Sequence, residues 1–300
     1  MDQLYLMQVF VAVAEEQGFA AAARRLQLSA PAVTRAIARL ERELGVKLLN
    51  RTTRHVRSTD AGRGYLEDAR RILAEVQQAN EAVVGINSTP RGQLNITAPV
   101  LFGQKFVLPC ITDYLDTYPE TTVNAQFLDR VVNLMEEGFD LGVRIGHLQD
   151  SSMQARRVGQ VRFHWLASPD YLDRHGVPTT PADLKKHSTI ASTSSSMTHD
   201  WQFYHNGQGQ TLRLKSRLQV STNQAAIDAA RRNLGIVHVL SYQVADELAD
   251  NSLHCLLQDY EPEPMPVHIV FREGRHASSK VRCFIELLAG QLQDHPCLRP

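Results

Sequence analysis

Between Ser29 and Gly45 the chain spells out a helix with both of its ends marked. Ser29 is placed to accept from the first unpaired N–H groups, and Pro31 falls in the first turn, where a missing N–H costs nothing. Val33, Ile37, Leu40 and Leu44 follow at helical spacing as one buried stripe, and Gly45 is positioned to stop the helix. The face turned away carries Thr34, Arg35, Ala38, Arg39 and Arg42. Upstream, Phe19 to Leu26 is Ala-rich and helical, and Gln27-Leu28-Ser29 breaks it. Met1 to Gly18 reads as a further helix with Leu6, Phe10 and Val13 on one face. Two short helices around a tight turn, the second exposing small and basic residues early, is how a helix-turn-helix loads a recognition helix. Ala30, Pro31 and Ala32 let that helix end approach base edges; Thr34 can touch a thymine methyl or a phosphate, and Arg35 guanine or the backbone. A plain helical hairpin with a charged surface has the same pattern.

Charge bears on the choice without deciding it. The chain carries 32 basic and 32 acidic side chains, but residues 1–65 hold ten Lys/Arg against six Asp/Glu, a surplus of four. Residues 93–300 hold 19 against 22. The imbalance is sharpest from Arg35 to Arg57, where seven basic residues meet only Glu41 and Glu43. A basic head on a mildly acidic body suits a polyanion, but such runs are more often solvated helix faces, so spacing has to decide. Val46 to Leu49 and His55 to Arg57 are short β-like runs around Asn50-Arg51-Thr52-Thr53-Arg54, a hairpin with a basic tip. As a wing, it would put Arg51 and Arg54 against phosphates or in the minor groove.

Phe19-Ala20-Ala21-Ala22-Ala23-Arg24-Arg25-Leu26, Leu28-Ser29-Ala30-Pro31-Ala32-Val33-Thr34-Arg35-Ala36-Ile37, Leu40 to Arg54 and Thr59-Asp60-Ala61-Gly62 together resemble the N-terminal domain of the LysR-type transcriptional regulators. The match is continuous over about sixty residues, and the remainder of the chain is similar to the family too. The resemblance implies a winged helix-turn-helix over 1–59, a linker and dimerisation helix with a hinge over 60–89, and an effector-binding domain over 90–300. It places base and phosphate contacts on Ser29, Ala30, Pro31, Thr34, Arg35, Arg51 and Arg54; Arg39, on the same outward face, joins them. Gly18 and Ala20 stand where family members often have a serine that caps the second helix and touches phosphate, a contact this chain lacks the hydroxyl to make. Ala30 stands where many have glutamine, so base readout there differs or is lost.

From Thr59, a candidate N-cap, a helix is predicted to about Val84. Leu66, Ala69, Leu73, Val76, Asn80 and Val83 alternate spacings of three and four, a heptad seam that calls for a partner helix. Tyr65 and Ile72 widen the apolar face toward the head. Asn80 either fixes register or marks where the helix frays. The resemblance implies an antiparallel pairing that makes a homodimer or homotetramer, which would bind paired half-sites. Asn87 to Gly92 is the hinge.

Beyond the hinge, strands alternate with helices. Leu94–Ala98, Val123–Leu128 and Leu141–Ile145 read as strands, with helices Phe106–Tyr118 and Val131–Glu137 between them. Val161 to Ser168 reads as a strand into a second region holding Thr189–Ala191, a hairpin at Asn206-Gly207, helix Asn223–Asn233, strand Gly235–Leu240 and helix Tyr242–Ala249. Val267–Phe271 and helix Lys280–Leu292 return to the first. The fold class is therefore α/β in two lobes, about 90–164 with 266–300 and about 165–265, like periplasmic binding proteins, as the resemblance also implies. Ligands in such sheets sit at carboxyl ends of strands. Those ends are Pro99-Val100-Leu101-Phe102, Leu128-Asp129, Ile145-Gly146-His147, Thr193-Ser194 onward, and Thr222-Asn223. Either they line an effector cleft, as in similar family members, or their Ser and Thr residues cap their own helices. Family members often have hydroxyls where this chain has Pro-Val-Leu-Phe, which points to a small, partly apolar effector, a carboxylate or carbonyl compound.

Ser194, Ser195, Ser196, His199 and Asp200 hold the letters of a triad without a G-x-S-x-G elbow, and no Walker loop or H-E-x-x-H occurs, so no enzyme is expected. Four scattered cysteines form no C-x-x-C pair, and Cys110 lies in an apolar run as a core residue. No cofactor or metal, no membrane span and a cytoplasmic setting are expected. The expected partners are double-stranded DNA, a small organic effector and RNA polymerase. The alternative is a cytosolic small-molecule binding module whose head makes only protein contacts.

Overall fold

The computed structural model describes residues 2–51, 56–84, 89–148, 153–194, 200–272 and 277–299; for residues 51, 74–75, 77–84 and 272 it describes only the backbone. The described chain divides into two compact units, Met1–Ser88 and Thr89–Pro300.

In the first unit, Asp2 accepts from the Leu4 amide at 3.2 Å and starts α1 (Gln3–Glu16). The helices α2 (Phe19–Arg25) and α3 (Ala30–Leu44) follow. Gln27 takes a φ of +55° in the turn between them, where the Leu28 amide donates back to the Ala23 carbonyl at 2.9 Å. The cap expected at Ser29 is present: its Oγ accepts from the Ala32 amide at 3.3 Å. Gly45, at a φ of +69°, ends α3. Leu6, Val9, Phe10 and Val13 of α1 pack with Val33, Ile37 and Leu40 of α3 in one buried core. Burying each such side chain stabilises the unit by about 1.5–3 kcal/mol. Leu44, expected on that stripe, is 39% exposed, because the last turn of α3 runs past the core.

The wing is β1 (Leu49–Arg51) paired antiparallel with β2 (Val56–Ser58), one to three residues later than the sequence runs suggest. The Val56 amide donates to the Gln17 carbonyl, which ties the wing to the end of α1. Thr59 caps α4 (Asp60–Val84), its Oγ1 accepting from the Gly62 amide at 2.9 Å. The dimer seam drawn from sequence needs correction at its start. Ala69 is fully buried, and Leu66 packs on the head core, as does Tyr65, whose ring lies 5.4 Å from that of Phe10. Ala69 therefore offers no surface to a partner, while the half-buried Leu66 is shared with the chain's own core. Ile72, Leu73 and Val76 are half-buried; of Asn80 and Val83 only the backbone, in α4, is described.

The second unit holds two five-stranded mixed sheets. In the first, β3 (Gly92–Ala98) lies between parallel neighbours β4 (Thr121–Phe127) and β5 (Leu141–Ile145). The antiparallel strands β14 (Met265–Arg272) and β6 (Met153–Val161) complete it. Its helical run starts earlier than expected, as α5 (Val100–Phe102), a π-turn over Gly103–Val107 and α6 (Leu108–Thr117), and α10 (Ser279–Gln293) packs against α6. The helix expected over Val131–Glu137 is absent. Asn133 Oδ1 takes the amides of Met135 and Glu136, and the Glu137 carboxylate turns back onto the Asn133 amide and Arg130, so side chains consume the donors a helix would use.

The strand expected over Val161–Ser168 splits at Arg162 into β6 and β7 (Phe163–Ala167), which belong to different sheets. Arg162 exchanges hydrogen bonds with Ser241, its amide donating to the Ser241 Oγ and its carbonyl accepting from the Ser241 amide. The short helix α7 (Pro169–His175), unforeseen, follows β7. The second sheet runs β11 (Leu218–Val220), β8 (Thr189–Ser192), β12 (Ile236–Leu240), β7 and β13 (His254–Leu256). The hairpin at Asn206-Gly207 joins β9 (Asp200–His205) to β10 (Gln208–Arg213), both turn residues at positive φ. The helices α8 (Asn223–Arg231) and α9 (Ala245–Ala249) complete the lobe, a 3-10 turn over Ser241–Val244 replacing the first half of the predicted Tyr242 helix.

Candidate nucleic-acid interface and effector crevice

On α3 the burial alternates as an inserted helix requires. Val33, Ala36, Ile37 and Leu40 are buried; Ser29, Ala30, Pro31 and Arg35 are exposed, and Thr34 is half-buried. Arg39 is half-buried, its Nε donating to Glu43 Oε1 at 2.6 Å one turn on. Such an exposed pair is worth only about 0.3–0.5 kcal/mol and exchanges readily for a phosphate. Among the described residues, Arg24, Arg35, Arg42 and Arg57 form no ion pair, so the head offers uncommitted cations on α2, α3 and the wing. Arg51 is described only as backbone of β1, and Arg54 lies outside the described residues.

Glu41 fixes the wing against α3. It is only 7% exposed, and its carboxylate accepts from the amides of Leu48 and Leu49 at 2.9 and 3.2 Å and from Lys47 Nζ at 2.8 Å. Burial alone pushes its pKa up, but Lys47 and the two amides outweigh that and hold it below the usual glutamate range. Glu15 of α1 does similar work elsewhere, pairing with Arg25 of α2 and Arg70 of α4, both at 2.7 Å. Neither carboxylate is singled out in the sequence; for Glu41 the available signal is an acid within the basic run from Arg35 to Arg57, and Glu15 carries no such signal.

In the second unit, each sheet reverses its strand order once. From β3 the chain goes to β4 on one side and then to β5 on the other; from β8 it goes to β11 and then to β12. In open α/β sheets such reversals mark the carboxyl ends of the strands as the place where ligands sit. Pro99, Val100, Leu101, Ile145 and Gly146 lie there in the first lobe, half-buried, with Leu128 and Asp129 beside them after β4. The Val100 amide donates to Asp129 Oδ1 at 2.9 Å. In the second lobe, Ser192 and Ser194 share a 2.6 Å hydrogen bond, and the Ser194 Oγ donates to Asn223 Oδ1 at 3.1 Å. Thr222 is exposed, and its Oγ1 caps α8 by accepting from the Ala225 amide; the exposed Thr193 donates its amide to the Val220 carbonyl. The strand ends therefore bring Ser194 to Asn223 and Asp129 to Val100. Ser195, Ser196 and His199 lie outside the described residues.

Phe102 requires a correction. Its ring is fully buried, 4.7 Å from that of Phe106 and 5.3 Å from that of Tyr242, so it belongs to the core beneath the crevice. Tyr242, which sequence reading placed in a helix, carries the second lobe into the first lobe's core. Lys105 Nζ and Asp246 Oδ2 add a 3.2 Å ion pair at the same junction. Cys110 is buried as expected, and burial, with Asp113 nearby, pushes its thiol up to about 12, away from the thiolate that oxidation needs. Among the described residues no group of three or more His, Cys, Asp or Glu is placed to hold a metal ion, and no helix is long and apolar enough to cross a membrane.

Comparison with known proteins gives this geometry a family. Residues 4–63 match the bacterial regulatory helix-turn-helix protein, lysR family, and residues 87–293 match the LysR substrate binding domain. The HTH-type transcriptional activator AaeR of Escherichia coli is 33% identical over 288 residues, which cover 96% of this chain and 93% of that one. The full-length structure of the Vibrio cholerae virulence activator AphB superposes with a TM-score of 0.64 at 25% identity, covering 97% of this chain and all of that chain. The structure of CrgA, a LysR-type regulator of Neisseria meningitidis, does so with a TM-score of 0.62 at 28% identity, covering 97% and 99%. A helix-turn-helix head, an α/β body in two lobes and both family models on one chain leave one assignment: the protein belongs to the LysR family of bacterial transcriptional regulators.

Proposed function

We propose that this regulator reads its operator through the outward face of α3 and is controlled by a small molecule held between the two lobes of the second unit. The observation that carries the first half is the uncommitted Arg35 on an exposed face of a helix capped by Ser29. In this reading Ser29, Ala30, Pro31, Thr34 and Arg35 meet bases or adjacent phosphates, while Arg39, Arg51 and Arg54 hold the backbone. The half-buried Leu73 and Val76 pair with a second copy, with Asn80 and Val83 continuing the seam, giving a homodimer or homotetramer that spans paired half-sites. Pro99, Val100, Leu101, Leu128, Asp129, Ile145, Gly146, Thr193, Ser194, Thr222 and Asn223 surround the effector. The protein then works in the cytoplasm, and RNA polymerase is the recipient of the signal.

A gel shift with the DNA upstream of the protein's own gene tests this. Arg35→Ala is expected to cost about 1–3 kcal/mol, confined to one position of the half-site. Equal loss on every sequence would reduce Arg35 to a phosphate contact. Unaltered binding would overturn the assignment of α3.

A further inference from the structure

The first lobe's side of the crevice already contains an anion. Pro99 precedes α5 without a side-chain cap, and the Val100 amide is taken by Asp129 Oδ1 at 2.9 Å. The Asp129 loop is fixed there by the Leu128 amide, which donates to the Ala98 carbonyl at 2.8 Å, so the carboxylate is held at the joined ends of β3 and β4. Asp129 is half-buried, and among the described residues no Lys, Arg or His pairs with it; the neighbouring Arg130 is engaged by Glu137. Its charge is felt across the lobe junction: the buried phenol of Tyr242 is pushed up chiefly by burial and further by Asp129. A half-buried carboxylate with one oxygen uncommitted repels a second carboxylate and favours a donor. Of the carboxylate and carbonyl compounds expected from the sequence, a carboxylate is therefore disfavoured beside Asp129.

We infer that Asp129 is a specificity-determining residue that selects an effector presenting a cationic or neutral hydrogen-bond donor to the first lobe, with apolar bulk against Leu101 and Ile145. Asn223 and Ser194, hydrogen-bonded to each other at the strand ends of the second lobe, are left to meet whatever acceptor the molecule carries. The inference rests on the proposed role of the crevice, and its test separates the two.

The full chain is titrated calorimetrically with benzylamine, benzamide and benzoate, one-ring probes that differ in charge and donor content. Benzylamine and benzamide are expected to bind about tenfold more tightly than benzoate or better. Asp129→Asn keeps an oxygen for the Val100 amide but loses the charge, and is expected to shrink the benzylamine preference over benzoate by about tenfold. The wild-type ranking decides the matter even where the variant folds poorly. Benzoate binding as tightly as benzamide, a ranking unmoved in Asp129→Asn, or no binding by any probe overturns the inference. Benzoate that binds first and shifts the operator footprint would overturn it while leaving effector control standing; an amine that binds and leaves the footprint unmoved would do the reverse.

Discussion

At Glu41 a single carboxylate, nearly sealed from solvent, takes two wing amides and a lysine, and so sets the angle at which the basic hairpin leaves α3. Glu41→Gln keeps an oxygen for the two wing amides but sets an amide NH2 against the Lys47 ammonium and weakens the hydrogen bonds that the charge had strengthened, a cost of about 1–3 kcal/mol measurable as a lower denaturation midpoint of the head. The pH dependence has a definite sign. Because the folded-state pKa lies below the unfolded one, the stabilisation is complete above the ordinary glutamate value of about 4.3 and is lost as pH falls through the depressed value. Glu41→Gln should therefore show a flatter stability profile below about pH 4.3 than the native protein. An identical profile would mean the carboxylate carries no net share of the wing's attachment.

The first turns of α4 approach the wing so closely that only glycine fits at one position. A Cβ on Gly62 would stand 2.0 Å from the Leu48 carbonyl oxygen, whereas one on Gly64 meets nothing within 4 Å. Gly62→Ala is expected to destabilise by about 1–3 kcal/mol through the forced shift of wing against helix. Gly64→Ala is expected to stabilise by about 0.5–1 kcal/mol, since alanine loses less backbone freedom in a helix. Thermal unfolding of the two variants checks the contrast; equal effects would contradict this packing. The ends of α3 were legible because Ser29, Pro31 and Gly45 act on their own backbone neighbours. The Val131–Glu137 segment was not, because the Asn133 side chain takes the Met135 and Glu136 amides that a helix would use, and spacing alone does not reveal the winner. Arg162 likewise looks like the middle of a strand, and only its exchange with the distant Ser241 divides β6 from β7. The strand ends themselves could be read from the alternation of elements, but Asp129 as the partner of Val100 depends on β3 and β4 lying side by side.

For the whole molecule, regulation requires that the effector bind one arrangement of a dimer or tetramer better than another; tight binding without that difference shifts nothing. The Tyr242 ring buried in the first lobe's core, with the Lys105–Asp246 pair beside it, gives the two lobes a shared structure through which a bound molecule can act. The uneven charge matches this division, with a basic head for DNA and a mildly acidic body for the effector and a partner. That α3 enters the major groove is tested most directly by dimethyl sulfate protection of the operator, since the reagent methylates guanine N7 on the major-groove edge. We expect the full chain to protect a guanine in each half-site, and Arg35→Ala to restore methylation at that base while the flanking contacts persist. Full methylation of every half-site guanine in the bound complex would contradict insertion of α3.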